Sequence, residues 1–298
     1  MKKMAPLLII CATLLWATMG IVTRYIVSIG FTTREAVALR VFASAVFFLV
    51  VLLIIDKRKL KVEIQDYKWF LLTGIGSLFI NNLSYATTVQ RANLSVAVVL
   101  LYTAPFFVMI MSILFFRERV TLTKIFALFL SFIGCTFVVG LTTGAVEEGI
   151  TVTVLIGLLS GFSYSLYTVI GKILLRKYDS LTVASHTFFV GGVVSVLAAH
   201  PVHMAKQVVN HMEYMPLAIL GSIVSIACPY ILYSIALKYV ESSKASIIAS
   251  VEVVAASIYG VVLYGEKIGF LNVLGIVMVI TAVTILQIPG KTEKKIES

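Results

Sequence analysis

The stretch ASIIASVEVVAASIYGVVLYG, Ala245–Gly265, holds one charged side chain, Glu252, in an otherwise apolar or small run. Its length matches the roughly 20 residues that a helix needs to cross a hydrocarbon core about 30 Å thick. Glu252 lies too deep in that run for a short side chain to reach either interface. In hydrocarbon, polar side chains turn towards the bundle interior or a water-filled cavity. The residue is therefore a structural strut or a working part.

Working outward, runs of the same kind recur along all 298 residues, of which 60% are hydrophobic and 13% charged, with mean hydropathy +1.03. Soluble domains carry about a quarter charged residues. Ten spans are expected: 5–27, 35–55, 69–89, 94–116, 121–142, 151–173, 181–200, 215–237, 243–264 and 268–288. The runs are too long for barrel strands and do not alternate. The fold class is an all-α polytopic membrane protein. The opening MKKMAPLLIICATLLWATMG has the outline of a signal peptide, but its apolar run is long and nine more follow, so an uncleaved first helix is expected. Cys11, Cys135 and Cys228 fall inside spans with neither metal-ligand nor disulfide spacing. No phosphate-cradling glycine motif, cofactor motif or catalytic constellation such as H-E-x-x-H or G-x-S-x-G occurs. An intramembrane enzyme, or a scaffold with a soluble signalling domain, has no support in the residues, and no cofactor or metal is expected.

The net charge of +10 is not spread as a nucleic-acid surface would be. Of 24 Lys and Arg, all but Arg24, Arg34, Arg40, Arg91, Lys206 and Lys267 sit at the termini or beside the loops after spans two, four, six and eight. The positive-inside rule makes that face cytoplasmic, with both termini inside. The basic surplus then meets anionic lipid headgroups.

Shifting the chain against itself by 148 residues aligns Trp16 with Tyr164, Arg24 with Lys172, Ser77 with Ser225, Tyr85 with Tyr233, Ala97 with Ala245, Glu118 with Glu266 and Arg119 with Lys267. The chain thus reads as two five-span halves, 1–142 and 151–290, with a short charged tail, 291–298. Five is odd, so the second half enters from the opposite side, and the loop charges reverse to match. Inverted repeats mark secondary transporters, with the substrate site near midplane between the repeats. A monomer suffices, because both repeats share one chain; no obligatory protein partner is expected.

The string SVAVVLLYTAPFFVMIMSILFFRERVT followed by KIFALFLSFIGC resembles the fourth and fifth helices of an EamA repeat. CPYILYSIALKYVESSKASIIASVEVVAASIYGVVLYGEKIG followed by NVLGIVMVITAV resembles the same element in a second repeat. The resemblance covers essentially the whole chain. It implies the drug/metabolite transporter superfamily: ten helices, two inverted EamA domains, and movement of a small metabolite across a cell membrane without ATP. Export of an amino acid, with proton exchange as the coupling, is the leading expectation. Multidrug efflux and metabolite uptake are the rivals. Similar exporters often carry Glu-Pro where this chain has Glu252-Val253, so the carboxylate fits and the proline does not.

Candidate cavity residues follow from helical spacing. Ser77, Asn81 and Tyr85 share one helix face, and Ser225, Pro229 and Tyr233 are their mates; interhelical hydrogen-bond glue is the competing reading. Trp16, Tyr102, Tyr164 and Tyr167 could form aromatic walls for an apolar or cationic substrate, or could simply pack. Pro105 and Pro229 are candidate hinges. Arg24 and Lys172 end the first helix of each half and are candidate gates or snorkelling cations. Glu118 and Glu266 are explained by local pairing with Arg119 and Lys267 and by helix N-termini. Glu252 either exchanges a proton for a cationic or zwitterionic substrate or holds helices together.

Overall fold

A computed structural model describes residues 4–92, 94–140, 150–265 and 267–287. Lys2, Lys3, Glu266, most of the linker after 140, and the tail with Lys291, Lys294 and Lys295 lie outside the described residues.

Among the described residues nine helices are long and apolar enough to cross a membrane. The first is broken at Ala17–Thr18 into α1 (Ala5–Trp16) and α2 (Met19–Ser28). Next is α3 (Thr33–Asp56), opened by a capping box in which the Thr32 and Glu35 side chains each accept the other's backbone N–H. The run 67–91 is continuous helix, built from α4 (Tyr67–Leu71), a π-helical segment (Leu72–Phe79) and α5 (Ile80–Arg91). It coincides with the third expected span but stands apart from the nine apolar helices. Its C-terminal half carries Asn81, Asn82 and Ser84, which lower its apolar character.

The fourth span is α6 (Leu94–Leu101) and α7 (Ala104–Phe116), interrupted at Tyr102–Thr103; the fifth is α8 (Leu122–Val139). The second half runs through α9 (Ile150–Leu174) and α10 (Ser180–Ala198), the latter capped by Asp179, whose carboxylate accepts from the N–H groups of Leu181 and Thr182. A short amphipathic helix, α11 (Pro201–Asn210), precedes α12 (Met215–Ser222), a second π-helical segment (Ile223–Ala227) and α13 (Cys228–Leu237). The chain continues through α14 (Ser242–Ala249), α15 (Val251–Tyr264) and α16 (Phe270–Gln287).

The 148-residue shift is visible in three dimensions. The π-helical segments occupy corresponding places, and so do the interruptions at Tyr102–Thr103 and Ser250. The second interruption forms without a proline, so the missing Glu-Pro partner does not straighten this helix. Packing repeats too: α1 lies on α13 as α9 lies on α5, while α3 pairs with α10 and α8 with α16. At the α8–α16 crossing, Gly134 faces Gly275, and a Cβ on Gly275 would stand 2.5 Å from the Gly134 carbonyl oxygen. The shift maps these glycines onto Ala282 and Ala127, both fully buried in one cluster. Small residues let membrane helices approach closely, and this interface uses them twice.

Apolar side chains cover the outside of the bundle, while serines, threonines and a few charges are buried within it. This inverts the soluble pattern and suits a lipid solvent. Lysine–carboxylate pairs gather at one end: Lys59 with Asp179 at 2.8 Å, Lys177 with Glu63 and Asp66 at 2.5 and 2.7 Å, and Lys124 with Glu241 at 3.1 Å.

Candidate functional site

The interruptions of α6–α7 and α14–α15 lie side by side in the bundle, because α7 packs on α14. Each leaves backbone groups outside the regular helical ladder and turns a side chain inward. From the first break comes Tyr102, and just past the second comes Glu252. The Tyr102 side chain lies close to the Glu252 carboxylate. The carboxylate's charge also reaches the hydroxyls of Tyr85 on α5, Tyr164 on α9 and Tyr230 on α13. Tyrosines from four other helical columns, drawn from both halves, thus lie within electrostatic range of one carboxylate.

Glu252, Tyr85, Tyr102, Tyr164 and Tyr230 are each only half-buried by surface area, although helices surround them. Their remaining surface faces internal space. Beside them is a cavity of about 10 Å³, lined by Tyr102, Pro105, Tyr164, Thr168, Ser246 and Ala249. That is about the space of one water.

Of the sequence candidates, Glu252, Tyr85, Tyr102 and Tyr164 come together here. Trp16, Tyr167 and Tyr233 form an adjoining aromatic cluster around Tyr230. Ring centroids are 5.1 Å apart for Trp16–Tyr230, 5.2 Å for Trp16–Tyr233 and 4.7 Å for Tyr167–Tyr230. The Tyr167 hydroxyl bonds Ser234 at 2.8 Å, and Tyr233 bonds Thr168 at 2.9 Å, so both hydroxyls are engaged within the packing. Asn81 Nδ2 donates to the Ser160 carbonyl at 2.9 Å and ties the halves together. Ser77 and Ser225 are buried in the two π-helical segments. The buried Ser225 hydroxyl has no partner among the described residues.

Pro105 follows the interruption directly, at the start of α7, where its missing N–H costs nothing. Pro229 starts α13 just after the second π-helical segment. The candidate gates separate in character. The Arg24 guanidinium lies 4.4 Å above the Tyr264 ring. Lys172 lies 5.4 Å from the Phe116 ring, the mate of Tyr264 under the shift, and also pairs with Glu118.

Glu118 corrects one expectation. Its carboxylate bonds Lys172 Nζ at 3.3 Å, the Ser242 and Ser243 N–H groups at 2.7 and 3.2 Å, and the Ser243 hydroxyl at 2.6 Å. The helix N-terminus it stabilises belongs to α14, over 120 residues away, rather than to the local α8. A short side chain at the turn after α7 can reach α14 because those helices are in contact.

Two residues were missed from sequence. Tyr230 is the mate of Asn82, so the repeat carried a signal for it. Arg40 has Phe188 as its mate, and no polar match marked it. It is 4% exposed in α3, and its Nη1 donates to the Met19 carbonyl and the Thr23 hydroxyl.

A bundle of membrane-length helices in two related halves, with polar groups gathered between the halves, defines a polytopic membrane transporter. Comparison with known proteins makes the class specific. The model of the EamA-like transporter family matches residues 3–140 and again 151–288, and the chain belongs to that family, within the drug/metabolite transporter superfamily. An uncharacterized transporter of Archaeoglobus fulgidus is 28% identical over 207 residues, 70% of this chain and 72% of the relative. One from Methanothermobacter thermautotrophicus is 25% identical over 235 residues, covering 78% and 67%. A solved crystal structure superposes over 99% of both chains with TM-score 0.79 at 16% identity, which speaks for the fold.

Proposed function

We propose that the protein is a ten-span secondary transporter of the cell membrane, with both termini cytoplasmic and the two halves inverted. The continuous run 67–91 is its third span, polar because one face lines the pathway. The clustering of Lys59, Lys124, Lys172 and Lys177 at one end of the bundle supports making that end cytoplasmic.

The observation that carries the reading is Glu252, just past one of two neighbouring helix interruptions, with tyrosines of both repeats within its electrostatic range. A carboxylate in that setting can hold a substrate ammonium or a proton, but not both. This is the elementary requirement for exchange. Rocking of one half against the other would open the centre to each side in turn. We assign the substrate to small metabolites bearing an amino group, amino acids first, moving outward in exchange for protons. The aromatic cluster of Trp16, Tyr167, Tyr230 and Tyr233 favours one second reading, efflux of flat cationic compounds.

The test is flux in proteoliposomes against a panel of amino acids and cationic dyes, with and without a pH gradient, for wild type and Glu252→Gln. Flux of an amino acid that follows the gradient and is lost in the variant supports exchange. A folded variant whose flux and pH response equal those of wild type would sink the coupling role.

A further inference from the structure

Arg40 presents a guanidinium inside the bundle that the exchange reading does not use. It lies seven residues beyond the Thr33 start of α3, about 10 Å along the axis. Both of its hydrogen bonds leave from Nη1, and the buried Nε has no partner among the described residues. Among those residues, no carboxylate stands within ion-pair distance of it. Burying a charge costs several kcal/mol after relaxation, and buried cations are ordinarily paired. An arginine serving only to clamp α2 would satisfy its remaining N–H groups nearby.

The free side is also the informative one. Nε–H and an Nη2–H form the parallel fork that grips a carboxylate through two hydrogen bonds. Here that edge is buried and has no partner among the described residues. Tyr230 lies within electrostatic reach of both Arg40 and Glu252. Through Trp16, Tyr167 and Phe188 it also joins the aromatic cluster; the Phe188–Tyr230 centroids are 4.8 Å apart.

We infer that Arg40 is an anion station of the transport pathway, taking the carboxylate of the substrate on its unpartnered Nε–Nη2 edge when rocking of the bundle uncovers it. The substrate class becomes amphoteric: a small molecule carrying a carboxylate as well as an amino group. The two charges are served in succession, at Arg40 and at Glu252, as the bundle rocks, and the pathway rejects purely cationic compounds at Arg40. This inference rests on the transport reading for the identity of its ligand, but the binding step can be measured without transport.

The experiment is thermal unfolding of the full chain in detergent, titrated with sodium acetate, glycine or glycinamide at constant ionic strength in sodium chloride. Wild type, Arg40→Gln and Arg40→Lys are compared. Acetate and glycine are expected to stabilise wild type saturably, with the apparent affinity weakened by about tenfold or more in Arg40→Lys, whose ammonium keeps the charge but loses the fork. In Arg40→Gln the acetate response should vanish, and the glycinamide response should match wild type. An equal response of wild type and both variants to acetate and glycine, including no response from any, overturns the proposal. If Arg40→Gln does not fold, the Arg40→Lys comparison decides alone by the same criterion. Absent flux in proteoliposomes beside intact Arg40-dependent stabilisation would refute the transport reading only. Flux without that stabilisation would refute the carboxylate station only.

Discussion

Lys172 Nζ lies 3.3 Å from Glu118 Oε1, joining the end of the first helix of the second half to a turn of the first half. The Lys172 ammonium also donates to the Val240 carbonyl at 2.8 Å, and Lys124 Nζ to the Arg119 carbonyl at 2.7 Å beside Glu241. Three chain segments, far apart in sequence, are thereby latched at one end of the bundle. In an alternating-access cycle such a latch must break each time that end opens. Glu118→Ala would leave a half-buried ammonium and the α14 N–H groups without their acceptor. Removing one partner of a buried pair costs about 3–5 kcal/mol, so unfolding of the variant in detergent should show a loss at the lower end of that range. A double-mutant cycle with Lys172→Met should recover part of it; full additivity would mean that the pair is not coupled.

The same carboxylate gives the latch a pH dependence. Burial pushes the Glu118 pKa up, but the Ser243 hydroxyl, the Lys172 charge and the α14 N–H groups outweigh it and hold it below the usual value. A depressed carboxylate contributes stability that is fully present above its unfolded pKa and is lost as pH falls through the folded one. The latch is therefore intact at neutral pH and weakens below about pH 4.5, near the unfolded glutamate value. Unfolding temperatures of wild type should decline over that acid range more steeply than those of Glu118→Gln. Parallel profiles would rule Glu118 out as the source.

Glu252→Gln separates strut from working part by comparing two readouts. The substitution removes a charge from the interior while keeping a polar group opposite Tyr102, so stability should stay within about 1 kcal/mol of wild type. Flux should fall by an order of magnitude or more and lose its response to a pH gradient. Tyr102→Phe should fall less and retain the gradient response, because it removes a neighbour and leaves the titrating group. A Glu252→Gln protein that unfolds readily would assign the residue to structure.

Much of this was legible in sequence, and the failures have physical causes. Span positions came from apolar run length, which the bilayer enforces. The two halves came from matched residues at one offset. Glu252, Tyr85, Tyr102 and Tyr164 stand out because polar and aromatic side chains inside hydrocarbon are costly and turn towards the bundle interior. The π-helical segments at Leu72–Phe79 and Ile223–Ala227 had no sequence mark, since widening a helix turn needs no special residue. The interruption at Ser250 had none either, because its partner in the first half is followed by Pro105 and it is not. Glu118 was assigned to its neighbours because sequence proximity cannot reveal that α7 and α14 touch. Arg40 was invisible to the repeat, as its mate is Phe188.

The α8–α16 crossing makes the last test, because it concerns the scaffold and none of the site. Gly275 has the Gly134 carbonyl oxygen and the Val138 nitrogen at 2.5 and 2.7 Å from where a Cβ would sit. Both are backbone atoms, so no rotamer change can make room and the helices must part. Gly275→Val should therefore destabilise by about 1–3 kcal/mol, the usual range for overpacking. Gly20→Ala, with nothing within 4 Å of the added carbon, is the control for handling and expression. If Gly275→Val matches Gly20→Ala in unfolding temperature, the close crossing is not formed as described. If it is destabilised while retaining the Glu252-dependent flux of wild type, then α8 and α16 serve as a fixed frame, and the moving parts lie among the interrupted helices around Tyr102 and Ser250.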